Sequence, residues 1–406
     1  MTPPTDSRRP ESPRAGVSLR SLIPPPRKIR PHLSTMLDFA RWFAAGLVVI
    51  NHLRGIVFSD YRLMHAGGLV FRFLFFVSGF GHSAVIIFFV LSGYLVGGEV
   101  LRSIQRGDFS ARAYAVKRVA RLYAVYLAAL ALGGALDWVG LHHFNGTGLY
   151  THTIDFPALE YSTAKRLNVR TALANVLFCQ RLIAEPFGSN EPLWSLANEA
   201  WYYLMFPLLA YALLGPGVRA RLCCVAFLAI AAWFVSGPML AYFSVWLLGL
   251  VPCVLERPLI GRPWIPALLM AGLLAASRFW WLGSLTTLEQ DLLLAVAFVL
   301  LINSYDHSGS SAPPRLAGLN RALAGFSYSV YLLHWPLAVF IVAIMEQSTG
   351  FGLRMTAFNW GTGTFLAVLV LAVYAYAWAV STVTERNTPA VRRWLGDLLG
   401  VQAKTP

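Results

Sequence analysis

The sequence predicts an all-α polytopic membrane protein with about ten transmembrane helices and both termini in the cytoplasm. Three observations carry that reading. Only 13% of the residues are charged and 57% are hydrophobic, whereas a soluble domain carries roughly a quarter charged residues. The mean hydropathy is +0.57. Apolar runs of about 20 residues, each long enough to cross a bilayer, recur from one end of the chain to the other.

The runs fall at 36–56, 82–101, 115–136, 193–214, 219–236, 238–255, 263–280, 288–304, 320–345 and 360–384. Only "SGP" separates the fifth and sixth, so these are expected to form a tight antiparallel pair. Ahead of the first run, residues 1–35 are rich in Pro and Arg ("RRPESPRAG", "IPPPRKIRP") and lack an apolar core. That excludes a cleaved signal peptide and predicts a disordered basic tail that helps fix orientation. With the N-terminus inside, 23 Lys and Arg residues fall on the cytoplasmic side. Seven (Arg62, Arg72, Lys165, Arg166, Arg170, Arg181 and Arg354) fall outside. Four of those seven lie in one long outer loop, 137–192, where the rule has little force. The transmembrane domain is therefore drawn over 36–386 and a cytoplasmic tail over 387–406.

The net charge of +14 is gathered in short segments between the runs, as orientation signals are, so nucleic acid is not an expected partner. Cys179, Cys223, Cys224 and Cys253 show neither metal-ligand spacing nor a disulfide framework. The outer loop carries His142, His143 and His152 in "LHHFNGTGLYTHTIDF". A loop of this length tends to be functional. Without ligand spacing it reads as a polar loop at a substrate entrance, and no metal is expected. Nothing in the sequence sets an oligomeric state.

Charged groups inside membrane spans are costly and mark function by default. In "RWFAAGLVVINH", Arg41 and His52 are eleven positions apart. At 100° per residue that is within about 20° of three full turns, and it separates them by about 16 Å along one helix face. Arg41 is expected in the inner half of the membrane and His52 in the outer half. The fourth run opens "EPLWSLANEAWYYLMFPLL", with Ser195 and Glu199 at i and i+4 near its outer end. The ninth contains "FSYSVYLLHWPL", where Ser327, Tyr331 and His334 share a face. His52, Glu199 and His334 are thus expected at similar depth. At the inner mouth of the third run, "VKRVARLYAVY" carries Lys117, Arg118 and Arg121. With Arg41 they form a cationic rim suited to phosphate. Asp38, three residues before Arg41, can pair with it and fix its rotamer. Taken singly, Arg118 and Arg121 fit snorkelling anchors and His52 fits a polar contact between helices. The two-level pattern, cations inside and acid–base groups outside, is what points to chemistry.

These segments resemble the acyltransferase-3 family of integral-membrane acyltransferases. "LDFARWFAAGLVVINHL" is similar to its opening motif, with the basic-x10-His element at Arg41 and His52. "IIFFVLSGYLVGG" resembles its second helix, and "YAVKRVARLYAVY" its Arg-x-x-Arg element at Arg118 and Arg121. "PLWSLANEAWYYLMFPLL" looks like its Trp-Ser-Leu-x-x-Glu element, and "FSYSVYLLHWPL" like its penultimate-helix motif. The resemblance runs from about residue 36 to 386. It departs at Phe39, where the family usually has Gly, and in lacking a hydrolase-like domain after the tenth run, so the chain is expected to act alone or with a separate partner.

The resemblance implies transfer of an acyl group, usually acetyl, from cytoplasmic acyl-CoA to a hydroxyl of an extracytoplasmic carbohydrate or other small-molecule acceptor. Acyl-CoA, acceptor and lipid bilayer are the expected partners, and no permanently bound cofactor is expected. His52 would be the general base, with His334 its competitor, and Glu199 would orient His52 or bind sugar hydroxyls. Tyr331, Ser195 and Asn51 would be donors to the oxyanion, and Arg41, Lys117, Arg118 and Arg121 would hold CoA. A variant route acylates His52 first. The rivals are a transporter or flippase, which would often show duplicated halves not seen here, and an unrelated Asn/His membrane O-acyltransferase. A bacterial inner membrane is the expected location.

Overall fold

The computed structural model describes residues 29–401 apart from 60, 62–63, 65–67, 154–158, 160, 280–281 and 310–313. Helix α1 (Pro31–Val57) starts on a proline at its first turn, where the missing N–H costs nothing and the fixed φ suits the helix. Residues 31–35, assigned from sequence to a disordered tail, are therefore helical, and Leu33 is fully buried. Residues 1–28 of that tail lie outside the described residues.

A short apolar helix, α2 (Leu69–Ser78), was not anticipated; ten residues cannot cross a bilayer alone. It buries Phe71 and Phe75 against Phe58 at the end of α1. The second run is α3 (Gly81–Ser92), a π-helical turn (Gly93–Gly97) and α4 (Gly98–Arg106). The glycines of "SGYLVGG" permit this. A β-carbon on Gly93 would sit 1.9 Å from the carbonyl oxygen of Trp246. The third run, α5 (Ala111–His143), is capped by Ser110 and has 33 residues. At 1.5 Å each that is about 50 Å, so it projects past the hydrocarbon core into the outer segment.

Two short helices, α6 (Thr163–Arg166) and α7 (Val169–Val176), lie in that segment. Then follow α8 (Leu193–Leu214), α9 (Val218–Phe234), α10 (Gly237–Leu248), α11 (Val251–Val254), α12 (Trp264–Arg278) and α13 (Thr287–His307). Ser236, within the "SGP" link, caps α10. The ninth run is not one helix but two, α14 (Pro314–Ala324) and α15 (Ser327–Thr349), broken at Gly325 and Phe326. The break frees the first N–H groups of α15, and Glu385 takes one of them, as described below. The chain ends in α16 (Trp360–Val383), a 3-10 turn (Glu385–Asn387) and α17 (Thr388–Leu398), so part of the expected tail is a helix packed on α5.

Helical residues underlie every expected run, the ninth with a break, and the described residues form no strand, only isolated bridges. Among the described residues, seven helical stretches are long and apolar enough to cross a membrane. Of the other three, α9 and α12 are short, at 17 and 15 residues. The remaining one, α8, is long but diluted by Asn198, Glu199 and tyrosines. At one end of the bundle Arg30 donates to the Asp306 carbonyl, Trp42 to Asn320, and Arg121 to Glu385. At the other, Phe58 bridges Met355. Helix α15 is central, packed on α1, α5 and α16.

Close packing at the π turn makes Gly93 sensitive. Gly93→Ala is expected to cost about 2 kcal/mol by overpacking, and Gly272→Ala, with open space around it, to be neutral. Thermal unfolding of the detergent-solubilised protein checks this; equal melting temperatures would contradict the packing described.

Candidate active site

The Arg41–His52 spacing puts His52 on the face of α1 that meets α15. Its Nδ1 lies 2.8 Å from Nε2 of His334, and the rings stack with centroids 5.1 Å apart. On its other side, His334 Nδ1 lies 2.8 Å from the Tyr331 carbonyl oxygen. That carbonyl can only accept, so His334 Nδ1 carries hydrogen. In the neutral imidazole its Nε2 then bears the lone pair. His334 Nε2 must accept from His52 Nδ1–H, which leaves the lone pair of His52 on its Nε2. The backbone carbonyl of one residue thus fixes the tautomer of two rings. His334 is fully buried.

Trp335, next in sequence, has its ring 5.3 Å from that of His52. It is 2% exposed and its indole Nε1–H is buried with no partner. One turn inward of His334, the Tyr331 hydroxyl and Ser195 Oγ are 2.6 Å apart, and both lie 3.2 Å from the Pro192 carbonyl. These two predicted residues therefore meet.

Glu199 does not orient His52. Its carboxylate accepts from Ser92 at 2.8 Å and from Tyr203, and Ser92 in turn accepts from Trp246 Nε1 at 3.0 Å. Ser92 lies eleven residues along α3 from Gly81, about 16 Å, and Gly81 packs on Asn51 next to His52, so Glu199 lies inward of the histidines rather than beside them. Helical periodicity put Glu199 on the face of Ser195 but could not say which neighbour it meets. Asn51 also lies apart from the pair. Its Oδ1 is 3.4 Å from Arg54 Nη2, and its side chain packs where Gly81 lacks a β-carbon. Ser327 donates to Ala324 O at 3.0 Å and secures the break before α15.

Toward the inner end, every expected cation has a carboxylate. Arg41 is 3.6 Å from Asp38. Lys117 and Arg118 share Glu99, Arg118 at 3.2 Å. Arg121 bonds Glu385 Oε1 at 3.0 Å, while Glu385 Oε2 accepts from the N–H and hydroxyl of Ser329 in the first turn of α15. A carboxylate there is favoured by the helix dipole. Arg118 faces the Tyr203 ring and Arg121 the Tyr328 ring, at 5.6 and 4.9 Å. Polar side chains therefore descend turn by turn from the histidines through Tyr331, Ser195, Glu199 and Tyr203 to the arginines.

One cluster escaped sequence reading. His82 Nε2 is 2.7 Å from Asp291, which also accepts from Tyr242 at 2.9 Å. Its members lie 49 to 209 residues apart, so no local pattern joins them. Trp335 could have been found from "LHWP", where an indole adjoins a motif histidine. Among the described residues no three His, Cys, Asp or Glu side chains are grouped to hold a metal.

The acyltransferase-3 family model, described as an acyltransferase domain, matches residues 35–383. The acyltransferase MdmB of Streptomyces mycarofaciens is 25% identical over 389 residues, 86% of this chain and 90% of that protein. An uncharacterized protein of Haemophilus influenzae is 30% identical over 127 residues. That match covers 30% of this chain and 46% of the relative, so the chain spans under half of that protein. No solved structure matches significantly.

Glu385 both pairs with Arg121 and caps α15. Removing one partner of a buried pair costs about 3–5 kcal/mol. Glu385→Ala is expected at the low end of that range, because the Arg121 side chain is 36% exposed. Unfolding of the purified variant measures it, and an unchanged melting temperature would contradict the assigned role.

Proposed function

The chain belongs to the acyltransferase-3 family, and on that premise we propose that it transfers an acyl group, most simply acetyl, from cytoplasmic acyl-CoA to a hydroxyl of an extracytoplasmic carbohydrate or related acceptor. The single observation that carries the reading is the tautomer-fixed pair of His52 and His334. His52 Nε2 is a lone-pair base in a partly buried polar site. It takes the hydroxyl proton while the hydroxyl oxygen attacks the thioester carbonyl carbon. The imidazolium so formed donates through Nδ1 to His334. Trp335 Nε1–H and Tyr331 are donors for the tetrahedral oxyanion, where one well-aimed donor is worth about 2.7–4 kcal/mol. Collapse expels the CoA thiolate, and the proton on His52 Nε2 returns to it. His334 is then a positioning residue, and Glu199, with Ser92 and Tyr203, belongs to the polar path between the levels.

The inner cations hold the CoA phosphates, but not equally. Glu99 has a side chain 39% exposed, against 4% for Glu385. A phosphate displaces the exposed carboxylate more readily than the one also engaged by Ser329. Lys117 and Arg118 are thus the phosphate ligands, with Arg41 a further cation at the same end, and Arg121 serves mainly to hold the bundle end. The inner membrane of a bacterium is the setting this topology suits.

His52→Ala is expected to lower turnover by about 10²–10⁴-fold while acyl-CoA binding persists. His334→Ala should lower it less, and Arg118→Ala should mainly raise KM for acyl-CoA. Glu99→Gln, which frees two cations, should lower that KM several-fold. Acyl-CoA consumption by the purified protein with acceptor is the assay. No consumption would favour a transporter, and near-normal turnover by His52→Ala would overturn the base assignment.

A further inference from the structure

The outer segment forms an open cavity that the transfer chemistry does not use. Its volume is about 580 Å³, and its lining includes Lys165, Arg166, Arg170, His152, Tyr161 and Glu185. Among the described residues, three cations and one carboxylate thus line this space. Arg166 is 4% exposed. Its Nη2 bonds Glu191 at 3.1 Å and its guanidinium lies 4.3 Å over the Tyr161 ring, yet its Nε is buried without a partner. His152 holds a left-handed backbone, φ 57°, and its Nδ1 is likewise buried and unpartnered. A buried polar atom left unpaired is costly, and a non-glycine residue in that backbone region is uncommon. Both features are expected where a ligand completes the site.

The walls are built rather than loose. Asn175 donates to Thr171 O and Glu185 O and accepts from Phe187 N, and its own carbonyl accepts from Tyr126. Asp137 takes both the N–H and hydroxyl of Ser189 at 2.7 Å. Gly188, φ 62°, leaves room for this, since a β-carbon there would meet Asp137 at 2.2 Å. The same strap leads to the reactive groups. Glu191 pairs with Arg166, Asn190 donates to Leu332 O at 2.9 Å, and Pro192 O receives Tyr331.

We propose that this cavity is an acceptor subsite for an oxyanion, a carboxylate or phosphate carried by the sugar that receives the acyl group. The role as acceptor subsite rests on the transfer reading above; anion binding itself does not. Planar guanidinium matches both oxyanions, and a cationic cleft raises the local concentration of an anionic ligand.

The test is direct binding to the full-length protein in detergent, without acyl donor, by saturation-transfer NMR. Tri-galacturonate, its neutral methyl ester and inorganic phosphate are the probes. Tri-galacturonate should bind about tenfold more tightly than the ester, and the double variant K165Q/R170Q, both exposed positions, should erase the difference. Glu185→Gln should tighten binding of the acid, a gain that a misfolded protein cannot show. Displacement by phosphate assigns the site to either oxyanion, and failure of phosphate to displace assigns it to carboxylates. Equal binding of acid and ester, or a double variant that keeps the difference, would overturn the proposal while leaving acyl transfer untouched.

Discussion

Two imidazoles hydrogen-bonded to each other, His334 fully buried and His52 partly so, are the constraint around which the bundle is organised. A neutral pair of this kind holds only if one ring accepts and the other donates, and the carbonyl of Tyr331 decides which. That bond needs α1 and α15 in contact at one register. The register is set lower down, where Glu385 ties Arg121 of α5 to the first turn of α15. It is set higher up by the outer strap, where Asn190 and Pro192 engage Leu332 and Tyr331. The interior polar groups are thus connected rather than scattered, as a low-dielectric setting demands.

The vertical separation of charge and base has an energetic logic. Arg41, Lys117, Arg118 and Arg121 are paired with Asp38, Glu99 and Glu385, so most of the charge of this cluster is compensated. Glu99 is the most exposed member of that set, whereas Glu385 is buried and ties α5 to the first turn of α15. The same division between exposed and buried partners recurs outside, where Lys165 and Arg170 are open to solvent and Arg166 is enclosed.

Periodicity was enough to bring Arg41 and His52 to one face and to put Tyr331 and His334 on another. The apolar runs were enough to find the long helices, but not α2, α6, α7 and α17, which lie outside every run. What pattern cannot specify is the neighbour across a helix interface. Ser92 meets Glu199, 107 residues away in sequence, and Asp291 meets His82. The break before α15 hid inside a continuous apolar run, because Gly325 alone does not announce a stop. It became intelligible only with Glu385, 56 residues beyond Ser329, accepting the freed N–H. The outer segment was read as a polar entrance loop, yet its walls depend on Asp137, Asn175 and Gly188 meeting partners that only the fold supplies.

The most direct test of the paired imidazoles is ¹⁵N NMR of histidine-labelled protein, with the two signals assigned by comparison with the His334→Gln and His52→Gln variants. The account predicts that both rings are neutral Nδ1–H tautomers and that a coupling crosses from His52 Nδ1 to His334 Nε2. A His52 protonated at Nε2, with no such coupling, would contradict it.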